Sequence, residues 1–310
     1  MAKFLKGKQN FIPVLIFALA GAGFLLLNFV QLSDTAALIS ACLFAVTLIH
    51  SVIIINKFPY FRENYYFSFI CCLLFVILSC CVENIRFYSA FFILSLILTQ
   101  ILFTYQNEIY IFNSFDFGFF LGFAVIFYPP FWIFAIYLIC MYIFKGKTEI
   151  KGLIAALLGM VAFSILALEV VAVWDLWYLL DDFKEKLIID TFVWKHQYFF
   201  LLPIFIPAGL GIWDYFSHIN RQSASKKIVY FDVLLYSFFV FIFLIFYGGE
   251  HQILLFLLFI PMAIFTSNYL TYSRNILHKE LILWGMLICL LLYRFHSYIS
   301  LPKIFDQVTF

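Results

Sequence analysis

A carboxylate inside an apolar helix costs about 2.5–3.5 kcal/mol near mid-bilayer, and Glu169 is the clearest such residue in this chain. It stands four residues before the end of an apolar run that closes at Val173, about 6 Å from that end at a helical rise of 1.5 Å per residue. Two readings are open: a carboxylate that reaches the interface or pairs with a neighbouring helix, or a group that acts on a bound molecule. Asp34, Glu83 and Arg86 stand at the edges of other apolar runs. Asp232, three residues into its run, and Asp116, at the edge of another, read as carboxylates at headgroup depth. Asn28, Gln100 and His50 read as groups that hydrogen-bond one helix to the next.

These residues need a lipid-embedded scaffold to position them, because 65% of the 310 residues are hydrophobic and 12% charged. Soluble domains average about 45–50% apolar and about 25% charged. Forty-four Phe and 19 Tyr make the excess bulky, and a net charge of +2 is too small to imply a nucleic-acid partner. The expected fold is therefore all-α, a polytopic transmembrane bundle forming one membrane-embedded domain over 1–310. A span needs roughly 17–25 apolar residues. Eleven are expected: Phe11–Val30, Ala36–Ile55, Tyr65–Val82, Phe87–Tyr105, Ile109–Phe127, Pro130–Phe144, Leu153–Val173, Gln197–Trp213, Val229–Tyr247, Ile253–Tyr269 and Leu281 to about Tyr298. The lysines of Met1–Asn10 flank a run long enough to stay as a first helix rather than be cleaved as a signal peptide.

Pro129-Pro130 raises the alternative of one kinked helix over Ile109–Phe144. Charge bias decides against it, since Lys and Arg concentrate in cytoplasmic loops. With eleven spans and a cytoplasmic N-terminus, the basic residues divide 13 inside to 6 outside; merging the two spans reduces this to 10 against 9. The N-terminus is thus expected in the cytoplasm and the C-terminus in the periplasm.

By this topology Asp34, Glu83, Arg86, Asp175, His196, Glu250, His251, Arg294 and His296 collect at the outer face. His196, His251 and His296 with a nearby Glu have the donor types of a metal site, but their spacing lacks the i, i+4 pairing of a helix-borne ligand set. His50, His218 and His278 fall on the other side, so all six cannot converge on one metal, and no metal or cofactor site is expected. The seven cysteines all fall within spans without a CxxC pair and read as small apolar groups. Gly118-xxx-Gly122 and Ala155-xxx-Gly159 place small residues one turn apart, where helix backbones can approach closely. The segment from Trp174 to His196 is too charged to span. Leu176, Leu180, Phe183, Leu187 and Trp194 form an apolar stripe opposite Asp181, Asp182, Glu185 and Lys186, so 174–196 reads as a helix lying on the outer surface. It either caps the bundle or roofs a cavity that admits a lipid-linked or amphipathic ligand.

The lysine-rich start, the run Gly118-Phe-Phe-Leu-Gly122-Phe-Ala-Val-Ile-Phe-Tyr-Pro-Pro130 and the Trp-Asp-rich outer segment resemble a family of Phe- and Tyr-rich polytopic proteins of the Bacteroidota. That resemblance implies the inner membrane of a diderm cell and no particular activity. The order of elements over the first two-thirds is similar to that of glycosyltransferases of fold class C, which use polyprenyl-phosphate sugars. On that resemblance Asp34 in Gln31-Leu-Ser-Asp-Thr35 matches an acidic residue of the first outer loop, and Glu83-Asn-Ile-Arg86 the polar residues of the second. A carboxylate there would deprotonate an acceptor hydroxyl and the arginine would hold a lipid phosphate, with Glu169 as a further participant. The first outer loop here is about five residues, much shorter than that family's.

The leading expectation is a cell-envelope component acting as a membrane partner or scaffold, its partners being lipids and another membrane protein. The alternatives are a glycosyltransferase-like protein acting on a polyprenyl-linked sugar at the periplasmic face, and a transporter of a lipid or amphipathic solute. Composition and spacing leave open whether the protein is an enzyme.

Overall fold

The computed structural model describes residues 19, 35–55, 65–78, 85–104, 111–145, 150–193, 201–219, 222–249, 252–273 and 275–295. Among these every regular element is helical: α1 (Thr35–Ile55), α2 (Tyr66–Leu78), α3 (Ile85–Thr104), α4 (Ile111–Phe127), α5 (Ile133–Lys145), α6 (Ile150–Val173), α7 (Tyr178–Lys186), α8 (Leu202–Ser217), α9 (Ala224–Tyr247), α10 (Phe259–Tyr272) and α11 (Ile276–Phe295). Short 3-10 turns at Pro129–Trp132 and Gln252–Leu258 lead into α5 and α10. Five of the helical stretches are long and apolar enough to cross a membrane: Ile85–Leu102, Ile150–Val173, Lys226–Tyr247, Leu254–Tyr272 and Ile276–Tyr293. Shorter apolar helices cover Leu38–Ile53, Tyr66–Phe75, Ser114–Phe127 and Pro129–Phe144. Apart from Leu19, the expected first span lies outside the described residues.

Helix is the form that satisfies its own backbone in hydrocarbon, and the hydroxyls follow the same logic. Thr47 donates to the Leu43 carbonyl, Thr99 to Ser95, Ser237 to Val233 and Thr271 to Ser267, at 2.7–2.9 Å. Each of these groups is satisfied one turn back along its own helix. Ser223 caps α9 by accepting from the Lys226 amide, and Asn275 accepts from the Leu277 amide at the start of α11. The core is aromatic: Phe44 stacks on Phe75 at 4.8 Å and meets Phe256 edge-on at 4.8 Å, while Phe131 and Phe134 pack on Phe243.

The small-residue pattern does what its spacing implies. Ser114 lies beside Gly152, Gly118 against the Ala156 carbonyl, and Gly122 beside Met160 and Phe163. Positions rising together on both helices make α4 and α6 parallel. The chain between them must therefore return to its starting end, and Pro129-Pro130 separates two helices rather than kinking one. Tyr128 is extended (φ −136°, ψ 90°) and the prolines occupy the first positions of the following turn, where a missing N–H costs nothing.

The remaining pairings carry the alternation on: α5 lies antiparallel to α9 through Phe131–Phe243 and Phe144–Phe231, and α9 antiparallel to α10 through Tyr230–Asn268 and Lys226–Tyr272. The bundle thus has two ends. One carries Arg86, Trp132, Tyr247 and the segment 174–193, here the strap end; the other carries Lys151, Lys226 and Lys279, here the lysine end.

The strap differs from the single surface helix expected over 174–196. Helix α6 closes with the Leu176 amide on the Val171 carbonyl at 2.9 Å, Asp175 taking a left-handed φ of 55°, a common way to end a helix. Only Tyr178–Lys186 is helical after that, and 189–193 form no regular element. Ile188, Ile189, Thr191 and Val193 are β-branched, which disfavours helix, and α9 ends with carbonyls that no helical amide reaches. The strap takes them: Asp190 N–H donates to Phe246 O at 3.0 Å and Phe192 N–H to Ile245 O at 3.3 Å. Val193 N–H donates to Gly249 O, and Gly249 N–H to Asp190 O, both at 3.0 Å. Trp194 and His196 lie outside the described residues.

Candidate functional site

At the strap end, Arg86 at the start of α3 forms an ion pair with Asp182 of α7, and Lys186 reaches the same carboxylate at 2.9 Å. The two hydrogen bonds, from Lys186 first and then from Arg86, hold the Asp182 carboxyl below its usual value of 3.8. Hydrogen bonds to the charged form favour it. Of the expected apolar stripe, Leu176, Leu180, Phe183 and Leu187 are half-buried. Of the charged set expected opposite them, Asp181 and Glu185 are exposed, but Asp182 and Lys186 are half-buried too, drawn in by the ion pair with Arg86. Below the strap, Trp132 Nε1 donates to the Tyr247 hydroxyl at 3.0 Å, which donates to the Leu187 carbonyl at 3.4 Å. These bonds tie α5, α9 and the strap into one unit.

Beside that unit lies a cavity of about 250 Å³. Leu201 and Phe205 near the start of α8, Phe241, Leu244 and Ile245 from α9, Leu255 and Leu258 from the 3-10 turn, and Phe192 from the strap line it. Its wall is almost wholly apolar.

The candidate residues are distributed as follows. Arg86 is engaged with Asp182, so the guanidinium assigned to a lipid phosphate already has a carboxylate partner. Glu169 is exposed on α6. Asp34 and Glu83 lie outside the described residues, as do His196, Glu250, His251, His296 and the Arg294 side chain. Asp116 is exposed and Gln100 is exposed, while His50 is half-buried with its ring edge-on to Phe92.

A second polar cluster, at the lysine end, was not anticipated. Asp232 was expected among the headgroups, but it is 1% exposed and lies within electrostatic reach of the Tyr137 hydroxyl. Lys226 and Lys279 are 5% and 4% exposed. Lys226 donates to the Tyr272 hydroxyl at 2.9 Å and sits 4.4 Å from that ring's centre. Lys279 donates to the Thr271 carbonyl at 3.4 Å, above the Tyr66 ring. Both ammoniums thus sit against the last turn of α10, where a helix dipole and unclaimed carbonyls favour cations. The Tyr230 hydroxyl donates to Asn268 Oδ1 at 2.8 Å in the same region. The signal that could have found this cluster is the coincidence of lysines and tyrosines at facing helix ends. This arrangement clamps α9, α10 and α11 together and gives the lysine end a structural polar core.

The chain belongs to the family described as "Family of unknown function (DUF6427)", whose model matches residues 1–302. No curated protein and no solved structure matches it.

Proposed function

We propose that this multi-pass protein resides in the bacterial inner membrane as a cell-envelope component and works as a partner or scaffold for another membrane protein. The strap end and the C-terminus face the periplasm and the N-terminus the cytoplasm, on the basis of the 13-to-6 division of basic residues. One observation supports the partner role above others. Only 17% of Ile150–Val173 is buried, against 83% of Leu254–Tyr272. Helix α6 is held to the bundle along Gly152, Ala155, Ala156 and Gly159, and its other faces are open.

On that open surface stands Glu169, with no ion pair to any described residue. A carboxylate on a lipid-facing helix is stabilised by a cation brought to it. The partner is therefore a transmembrane helix carrying Lys or Arg near its periplasmic end.

The test is a photo-crosslinking residue at Ile165 in the full chain in its native membrane. A single discrete protein adduct is expected, lost on Glu169→Leu and kept on Glu169→Asp. Adducts with lipid alone, or an adduct indifferent to Glu169, would overturn the reading. Orientation is tested separately with Glu185→Cys, an exposed position of the strap. An impermeant thiol reagent should label it in intact spheroplasts, and labelling only after lysis would reverse the topology.

A further inference from the structure

Helices α8 and α9 touch at the lysine end, where the Tyr215 hydroxyl donates to the Lys227 carbonyl at 3.0 Å and the Tyr215 and Tyr230 rings stack at 5.3 Å. Toward the strap end the cavity of about 250 Å³ lies between them. That is more space than the engineered apolar cavity of about 150 Å³ that binds benzene. Among the described residues every lining side chain is apolar, which disfavours water, since a buried water needs two to four polar partners.

The mouth of the cavity identifies its occupant. Phe241 and Ile245 line it yet are 49% and 59% exposed, and they continue the exposed apolar stripe of α9 that includes Phe238. Ile206 on α8 is exposed likewise. The cavity is therefore continuous with a surface that contacts lipid hydrocarbon in a membrane. Phe192 forms part of its boundary at the strap, and the neighbouring backbone bonds from Asp190, Phe192 and Val193 fix that residue to the end of α9. Roof and wall are thus one unit, and entry is sideways.

We infer that this cavity binds a single hydrocarbon chain of a membrane lipid, acyl or prenyl, which enters laterally between α8 and α9 beneath the strap. The Trp132–Tyr247–Leu187 hydrogen bonds hold the roof in place over the chain. A chain so placed brings its headgroup to the strap end of the bundle.

The full chain, reconstituted in phosphatidylethanolamine and phosphatidylglycerol vesicles, is photolysed with a phospholipid bearing a diazirine at its acyl terminus. A second arm uses a diazirine-bearing polyprenyl phosphate. Adducts are expected at Phe205, Leu244 and Leu255 in excess of those at Ile154 and Leu158 on the open face of α6. The arm with the higher yield identifies the chain type. Ile245→Trp, at the exposed mouth, should lower cavity adducts about tenfold, the factor equivalent to about 1.4 kcal/mol of affinity, and leave those on α6 unchanged. Leu244→Trp, which fills the cavity from within, should do the same. Cavity adducts no denser than those on α6, or indifferent to both tryptophans, would overturn the inference. That failure would not touch the partner reading, which rests on a different helix.

Discussion

Substituting Gly118 by alanine tests the contact on which the attachment of α6 depends. A Cβ there would lie 1.7 Å from the Ala156 carbonyl oxygen, 2.6 Å from its carbon and 2.9 Å from its Cα. All three atoms are backbone, so no side chain can swing away, and ordinary contact begins only at 3.4 Å. The two helices must therefore separate at their crossing by roughly half of that distance. Gly159, whose own Cβ would meet the Phe115 carbonyl at 2.2 Å, shares the same interface, and its packing is lost with that of Gly118. Overpacking of this kind costs about 1–3 kcal/mol, while alanine in a helix interior recovers about 0.5–1 kcal/mol over glycine. The expected net loss is about 0–2.5 kcal/mol, hence about 1–3 kcal/mol below a glycine-to-alanine change made in open space. Gly285 and Gly209 supply the controls, since nothing lies within 4 Å of a Cβ at either. Gly285→Ala and Gly209→Ala should be neutral or stabilising by up to about 1 kcal/mol. Equilibrium unfolding in mixed micelles, followed by tryptophan fluorescence, reads the difference. If Gly118→Ala unfolds together with Gly285→Ala, the close approach of α4 and α6 is wrong, and with it the parallel register.

Two further outcomes follow from the polar groups. The Asp182 carboxyl is held below 3.8 in the folded chain. Its contribution is therefore complete above that value and is lost as pH falls through the lowered one. Exchange of the Asp190 and Val193 amides should accelerate in that acidic window, and Asp182→Asn should accelerate it at neutral pH; unchanged exchange in the variant would refute the anchoring role. At the lysine end, Tyr230→Phe and Asn268→Leu should each cost about 0.5–1.5 kcal/mol, and the double variant less than their sum, because they break one bond. Additive losses in a double-mutant cycle would show that the two residues act separately.

The helices were legible in the sequence because hydrocarbon leaves the backbone no partner but itself, so an apolar run of the right length is already a helix. The expected and observed limits of α1, α3 and α9 agree within five residues at either end. The Pro129-Pro130 break could be read from charge bias alone. The close-packed faces of α4 and α6 were legible in small-residue spacing instead, because Gly118, Gly122 and Gly159 carry no side chain to hold helices apart. The strap's inward stripe was likewise visible in its spacing.

What tertiary structure decided is lateral position. Depth in a membrane follows from distance along a helix, but the neighbour a residue meets at that depth does not. Lys226 and Lys279 stand near helix ends and Asp232 two turns into α9, where sequence places a charge at headgroup depth. Packing nonetheless takes all three out of solvent, the lysines against α10 and Asp232 toward Tyr137 of α5. Arg86 finds Asp182 across 96 residues, a pairing that no local pattern encodes. Residues 189–193 abandon helix for the unclaimed carbonyls at the end of α9, which exist only once that helix arrives beside them. Composition and periodicity settled that this chain is a bundle of lipid-soluble helices; only the docking of those helices decided which charges are buried and where a cavity opens, because those depend on contacts between segments far apart in the chain.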